Sequence, residues 1–271
     1  MLDIMKGQLR QLMRTRLIHL TFGVFAASFL LITFLECTVN TDNPVRASDF
    51  LCGGYGQLAG LILISLCLVA GFANGADFSD KTLYHELLAG RRRSTVFFGR
   101  LIPGAAVSIL GTMLLLALPV AFLALLNGWG NAIPVSAAVT RLLLMFFPLL
   151  RLYCVQVLIT FAVKNQIAGF SVSMLPVFAL FTLGSTNAAQ MSNMKILKTL
   201  SGNPYLLSPI NCGFLAKFDA WATYGIDLIQ HYTYYPALSA SAIALTITVS
   251  LVMCAVYLLV AYHYFRTDDL N

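Results

Sequence analysis

Apolar residues fill this chain in long unbroken runs rather than in alternation. Six runs, at residues 17–36, 54–75, 101–126, 137–163, 166–186 and 238–265, are long enough to cross ~30 Å of hydrocarbon, which takes ~20 helical residues. Lipid offers the backbone no hydrogen-bond partner, so each run is a helix or part of a closed barrel. Barrel strands alternate apolar and polar residues over about ten positions. These runs do not, and the pattern predicts helices.

Three passages between or before the runs have their own patterns. Residues 1–16, "MLDIMKGQLRQLMRTR", place Leu2, Met5, Leu9, Leu12 and Met13 at helical spacing, with Lys6, Arg10 and Arg14 between them. A basic amphipathic helix of this kind lies in the membrane interface with its apolar face in the acyl boundary. Residues 187–237 are too long for an idle turn and too apolar for a disordered loop. Their Trp221, Tyr224, Tyr232, Tyr234 and Tyr235 are of the type found at membrane interfaces. They predict short interfacial or re-entrant helices in an outer loop.

The third passage, residues 76–100, reads "ADFSDKTLYHELLAGRRRSTVFFGR". A turn between two spans needs only a few residues, and this one uses about 25. Ser79 or Asp80 can cap a helix, and Asp80 and Glu86 bring acid toward its positive dipole end. Leu83 with Leu87, and Tyr84 with Leu88, are i, i+4 pairs that form an apolar ridge. Gly90 is a natural stop, and Arg91, Arg92 and Arg93 complement the negative end. The spacing predicts a helix over residues 79–90, lying across one face of the bundle with a ridge that fits the bundle itself or a groove on a partner.

Composition agrees with a bilayer. The 271 residues are 59% hydrophobic and 10% charged, against about 25% charged in soluble domains. One compact membrane bundle accounts for the whole length, as a single domain spanning 1–271. The net charge of +6 is not a nucleic-acid signal, because Lys and Arg gather at the ends of the runs. Lys6, Arg10, Arg14, Arg16, Lys81, Arg91, Arg92, Arg93, Arg100, Lys164 and Arg266 fall on one side; Arg46, Lys195, Lys198 and Lys217 fall on the other. Cytoplasmic loops are enriched in Lys and Arg, so both termini are expected in the cytoplasm. "FLECTVN" has no small-x-small cleavage site, so the first span is expected to be retained.

Catalytic chemistry finds no support. There is no G-x-x-x-x-G-K-[ST], H-E-x-x-H, G-x-S-x-G or G-x-G-x-x-G in the sequence. His19, His85, His231 and His263 are far apart and near span ends, and no acid falls within the core of a span. An enzyme or a proton-driven pump would place such groups near the midplane. The costly residue is Arg151, in "FFPLLRLYCVQ" after Pro148. At mid-helix an arginine costs about 2.5–3.5 kcal/mol, so it is expected to face protein or water, as a substrate-pathway contact or a structural pair with freed carbonyls. Arg141, nearer the outer face, can snorkel. Gly56, Gly60, Gly71 and Gly75 give the second span small-xxx-small spacings that favour close packing. Cys67, Cys154 and Cys254 lie in apolar runs as small hydrophobes. Cys37 and Cys52 are near enough in sequence to allow a bridge, and no His/Cys cluster suggests a metal.

This layout resembles the permease subunits of ABC transporters, specifically the type-2 (ABC-2) class. That class has an amphipathic elbow helix, six spans, and a coupling helix after the second span. Its loose motif is matched by Asp77 to Asp80, Lys81-Thr82, Leu87-Leu88, Gly90, Arg93, Val96 to Phe98 and Gly99-Arg100. The departures are Lys81 where glycine is commoner and Arg100 for lysine. The resemblance implies an all-α polytopic membrane protein with residues 1–16 as the elbow and 79–90 as the coupling helix. It implies cytosolic ATPase subunits as partners, with ATP and Mg bound there and not on this chain. It also implies a second permease subunit, identical or related. Thr82, Leu83, Tyr84, His85, Glu86, Leu87 and Leu88 would enter the ATPase groove. Arg91, Arg92 and Arg93 would hold headgroups or pair with acids on the ATPase. The expected cargo is a peptide, antibiotic or other amphipathic compound, with self-protection against an antimicrobial peptide as one use, at a bacterial cell membrane. A different class, a non-transporting sensor or assembly partner, would bind a cytosolic protein through residues 79–93.

Overall fold

A computed structural model of the chain describes residues 1–39, 45–48, 55–79, 82–131, 134–165, 171–172 and 240–267. The described residues are helical, with no strand among them. Eight helices follow in order: α1 (Leu2–Arg14), α2 (Arg16–Val39), α3 (Tyr55–Ser79), α4 (Thr82–Leu88), α5 (Arg93–Asn127), α6 (Val135–Leu144), α7 (Phe146–Val163) and α8 (Ala240–Thr267). Four stretches are long and apolar enough to cross a membrane: Arg16–Leu35, Arg93–Asn127, Val135–Val163 and Ile247–Thr267. The 25-residue α3 carries the shorter apolar stretch Ile64–Ala76. The expected fifth span, 166–186, apart from residues 171–172, and the outer loop 187–237 lie outside the described residues, as do Asp80, Lys81 and Cys52.

Two boundaries differ from expectation for physical reasons. The third run was expected to begin at residue 101, but α5 begins at Arg93 and runs for 35 residues, about 52 Å at 1.5 Å per residue. That exceeds the ~30 Å of hydrocarbon, and its first two turns are buried by protein, with Val96, Phe97, Gly99 and Arg100 inside. The fourth run was expected to be continuous, but it divides at Met145 into α6 and α7. Pro148 has no N–H for the carbonyl of Leu144, so an unbroken helix is disfavoured there, while a proline in the first turn of α7 is tolerated.

α5 is the central helix, touching α1, α2, α3, α7 and α8, and α8 packs along α7. The core runs from Phe29 and Leu66 through Ile109, Leu116, Leu123, Leu149 and Tyr153 to Phe97. Within lipid there is no hydrophobic drive between helices, so dispersion and close approach hold such a bundle together. Close approach is visible at Gly111, where a Cβ would collide with the Phe22 ring, and Gly71 and Gly75 of α3 are buried.

The two ends of the bundle have distinct composition. Phe161, near the end of α7, meets Phe78 of α3 at 5.1 Å, Phe97 of α5 at 5.1 Å and Phe265 of α8 at 5.6 Å between ring centroids. Ile4 of α1 packs where a Cβ on Gly99 would sit, 3.1 Å from its Cγ2. α1, the end of α8 and the described residues of the 76–100 segment therefore meet at one end, which carries most of the described Lys and Arg. At the opposite end, Asn127 Nδ2 donates to the Val45 carbonyl at 2.9 Å and lies 3.7 Å from Cys37 Sγ. The Ala47 and Ser48 N–H groups donate to the carbonyls of Gly128 and Trp129 at 3.3 and 2.7 Å. Cys37 is a free thiol.

Candidate functional site

The basic end gathers most of the residues singled out in the sequence, and its geometry starts from α4. The helix spans Thr82–Leu88, shorter than the expected 79–90, because Ser79 still belongs to α3. Gly90 stops it with φ +77°. Its N–H donates to the Leu87 carbonyl at 3.0 Å and that of Arg91 donates to the Glu86 carbonyl at 3.4 Å. This pair of bonds is a Schellman closure, which needs the left-handed conformation that glycine adopts without strain.

The expected apolar ridge is divided. Leu83 is 3% exposed and belongs to the bundle's own core, and Leu87 is half-buried against it. Leu88 is 76% exposed. The side chains of Thr82 and Tyr84 lie outside what the structure describes. Glu86 makes a bidentate pair with Arg100 of α5, Oε2 to Nε and Oε1 to Nη2, both at 3.2 Å. Arg100 is buried, so the pair fastens α4 to α5 in a place where water competes weakly with it.

The three consecutive arginines also separate. Arg93 turns inward and donates through Nη1 to the carbonyls of Arg266 at 2.6 Å and Phe265 at 3.3 Å. These are last-turn carbonyls of α8, which have no helical N–H to accept from, and a cation there also opposes the negative end of the helix dipole. Arg91 and Arg92 remain exposed, with His85, Leu88, Ala89 and Gly90 beside them. Among the described side chains, the exposed surface of the segment is thus a small tip, with a leucine, a histidine and two arginines.

α1 lies alongside this end. Ile4, Gln8 and Leu12 face the bundle, with Gln8 Nε2 donating to the Ala73 carbonyl at 3.4 Å. Leu2, Leu9 and Met13 form an exposed apolar face, while Lys6, Arg10 and Arg14 occupy the strip beside it. The expected apolar stripe is therefore split, since Leu12 packs on protein and its companions do not. His19 Nε2 lies 2.7 Å from the Met13 carbonyl, and Thr15 Oγ1 donates to that of Gln11 at 2.9 Å. Together they bind the last carbonyls of α1 and fix its bend into α2.

Arg151 is elsewhere, in α7, 3% exposed. It lies within electrostatic reach of Tyr257 and Cys254 of α8. It faces protein, as its cost in lipid requires, and it is not brought together with the charged tip. Arg141 lies in α6, its side chain outside the described residues. Deeper in the bundle, the Tyr153 hydroxyl lies 3.1 Å from Asn74 Oδ1 and 3.0 Å from the Leu101 carbonyl oxygen. Gln156 Nε2 donates to Cys67 Sγ at 2.8 Å.

Sequence reasoning does not single out Asn74. It counts Arg100 as a basic residue at a span boundary and as standing for the family's lysine, but not as the partner of Glu86. The usable signal was the position of Arg100 after "VFF": a guanidinium within a helix that buries this face needs a carboxylate, and Glu86 is the acid of the preceding helix. Asn74 carried no comparable signal. Comparison with protein-family models gives no match to this chain, and comparison with curated proteins gives none either.

Proposed function

We propose that this chain is the membrane-spanning permease subunit of an ATP-binding-cassette exporter of the type-2 class. In this reading α1 is the elbow helix, α4 is the coupling helix, and both termini are cytoplasmic. A second permease subunit completes the pathway, and separate ATPase subunits bind ATP and Mg beneath it. The cargo is a peptide, antibiotic or other amphipathic compound.

The observation that carries the reading is the division of labour in residues 82–93. Leu83, Glu86 and Arg93 fasten the segment to α5 and α8, while His85, Leu88, Arg91 and Arg92 face outward. A lever needs both a grip on the spans and a free surface for its motor. The parallel run of α7 and α8, both finishing at the basic end, supports an odd number of crossings between them, and the single one expected at 166–186 makes six. The three-faced α1, with protein, apolar and basic sides, supports a helix lying in the interface.

Partner contact narrows under this reading. Leu88, His85, Arg91 and Arg92 meet the ATPase, and Leu83 and Arg93 act by holding the lever in place. Arg151 acts from within the α7–α8 packing. The test is purification in mild detergent with the native complement of partners. A nucleotide-hydrolysing ATPase should co-purify with the wild-type chain and be lost from Leu88→Asp, with both chains equally monodisperse. Retention of the ATPase by Leu88→Asp would remove the coupling assignment. A retained ATPase without ATP-dependent cargo movement would favour the sensor or assembly partner instead.

A further inference from the structure

α1 presents three faces. Ile4, Gln8 and Leu12 are buried against the bundle. Leu2, Leu9 and Met13 are exposed, at 70%, 44% and 58%. Lys6, Arg10 and Arg14 are exposed as well, at positions i, i+4 and i+8. At 3.6 residues per turn, each face is turned about 100° from the one before it. The basic strip therefore lies opposite the protein side, with the apolar face between them.

The strip is uncovered. Lys6, Arg10 and Arg14 make no ion pair with any described residue. No neighbouring helix comes within 4 Å of where a Cβ on Gly7 would sit, one residue past Lys6. The single acid of α1, Asp3, is in the first turn, where it meets the positive end of the helix dipole, and it offsets one charge at most. Arg16, the first residue of α2, is exposed too.

The apolar face decides what the strip meets. Large apolar side chains exposed along one face of a basic helix settle among acyl chains, and the cations beside them then stand at headgroup level. Because the strip points away from the bundle, its neighbour at that depth is lipid. We propose that Lys6, Arg10 and Arg14 bind the phosphate groups of anionic phospholipids and hold net-negative lipid beside α1. Successive cations are about 6 Å apart along the axis, so one phosphate between two of them takes a charge-assisted bond of about 2.8 Å from each. A zwitterionic headgroup brings its own ammonium, which the strip repels; a net-negative headgroup does not. The assignment rests on α1 lying in the interface and not on the permease reading, and its test needs no ATPase.

That test uses the full-length chain with a photoreactive diazirine residue in place of Met13, at the border of the apolar face and the basic strip. The chain is reconstituted in vesicles of phosphatidylcholine with phosphatidylglycerol as the minority lipid, and lipid adducts are counted by mass spectrometry. The control carries the same residue in place of Leu114 of α5, which is 69% exposed. Position 13 should capture phosphatidylglycerol about fivefold above its mole fraction, the factor that one Lys or Arg supplies near an anionic surface. Position 114 should capture it at its mole fraction. Lys6→Gln, Arg10→Gln and Arg14→Gln combined should return position 13 to the mole fraction, whereas Arg10→Lys with Arg14→Lys should keep the enrichment. High salt should abolish the enrichment with the strip intact, since the screening length falls to about 3 Å at 1 M; this arm does not depend on how the triple variant folds. Capture at the mole fraction by the intact strip, equal enrichment at positions 13 and 114, or enrichment that the triple variant or salt leaves unchanged would overturn the proposal. So would a protein adduct in place of lipid at position 13 in native membranes, which would assign the strip to an acidic partner.

Discussion

The two ends of this bundle are closed by different chemistry. At the basic end, long charged side chains reach across helices: Glu86 to Arg100, and Arg93 to the last turn of α8. At the opposite end, backbone meets backbone, with residues 47–48 paired to 128–129 and a glycine at φ +86° where Ser48 and Arg46 press closest. Ion pairs and helix-end contacts can be exchanged for those of another charged surface at small net cost, because the groups remain partnered. A backbone closure inside a buried corner has no such substitute. Among the described residues, the basic end is therefore held by contacts that can be exchanged, and the opposite end by contacts that cannot.

That contrast can be broken at five positions, in order of expected effect. Leu83→Ala should cost about 3 kcal/mol in unfolding free energy, as for other buried leucines, and thermal unfolding in detergent would register it. Glu86→Ala leaves Arg100 with a buried charge and should cost about 2 kcal/mol, less than a fully buried pair because Glu86 is partly exposed. Adding Arg100→Leu should recover part of the loss, and a double-mutant cycle reads the coupling. Gly130→Ala should cost about 2 kcal/mol, from its positive φ and a collision with Ser48. Gly128→Ala should also cost about 2 kcal/mol, because its φ of 78° with ψ of 176° lies in a region open essentially to glycine alone, although nothing lies within 4 Å of an added Cβ. Thermal unfolding of the two variants checks both costs. Arg93→Ala should cost about 1 kcal/mol overall, with faster amide exchange confined to the end of α8.

Much of this arrangement is legible in the sequence, and the omissions have physical causes. Apolar runs located the described spans because lipid leaves helices as the only solution. Gly90 marked the end of α4 because a Schellman closure needs a residue free to adopt positive φ. The start of α5 was missed because charges at 91–100 read as a loop, whereas Arg93 and Arg100 are held by protein and the helix passes through them. The break at Met145 was half-visible in Pro148. The orientation of α4 was not visible, since Leu83, Leu87 and Leu88 differ only in what stands opposite them.

The central claim, a lever gripped from within and free at its tip, is tested most directly by photo-crosslinking from position 88 in intact membranes. The control is position 125, where Leu125 of α5 is 86% exposed near the opposite end. A photoreactive residue in place of Leu88 should capture a nucleotide-binding ATPase, and one in place of Leu125 should capture none. No ATPase adduct at position 88, or equal capture at both positions, would contradict the account.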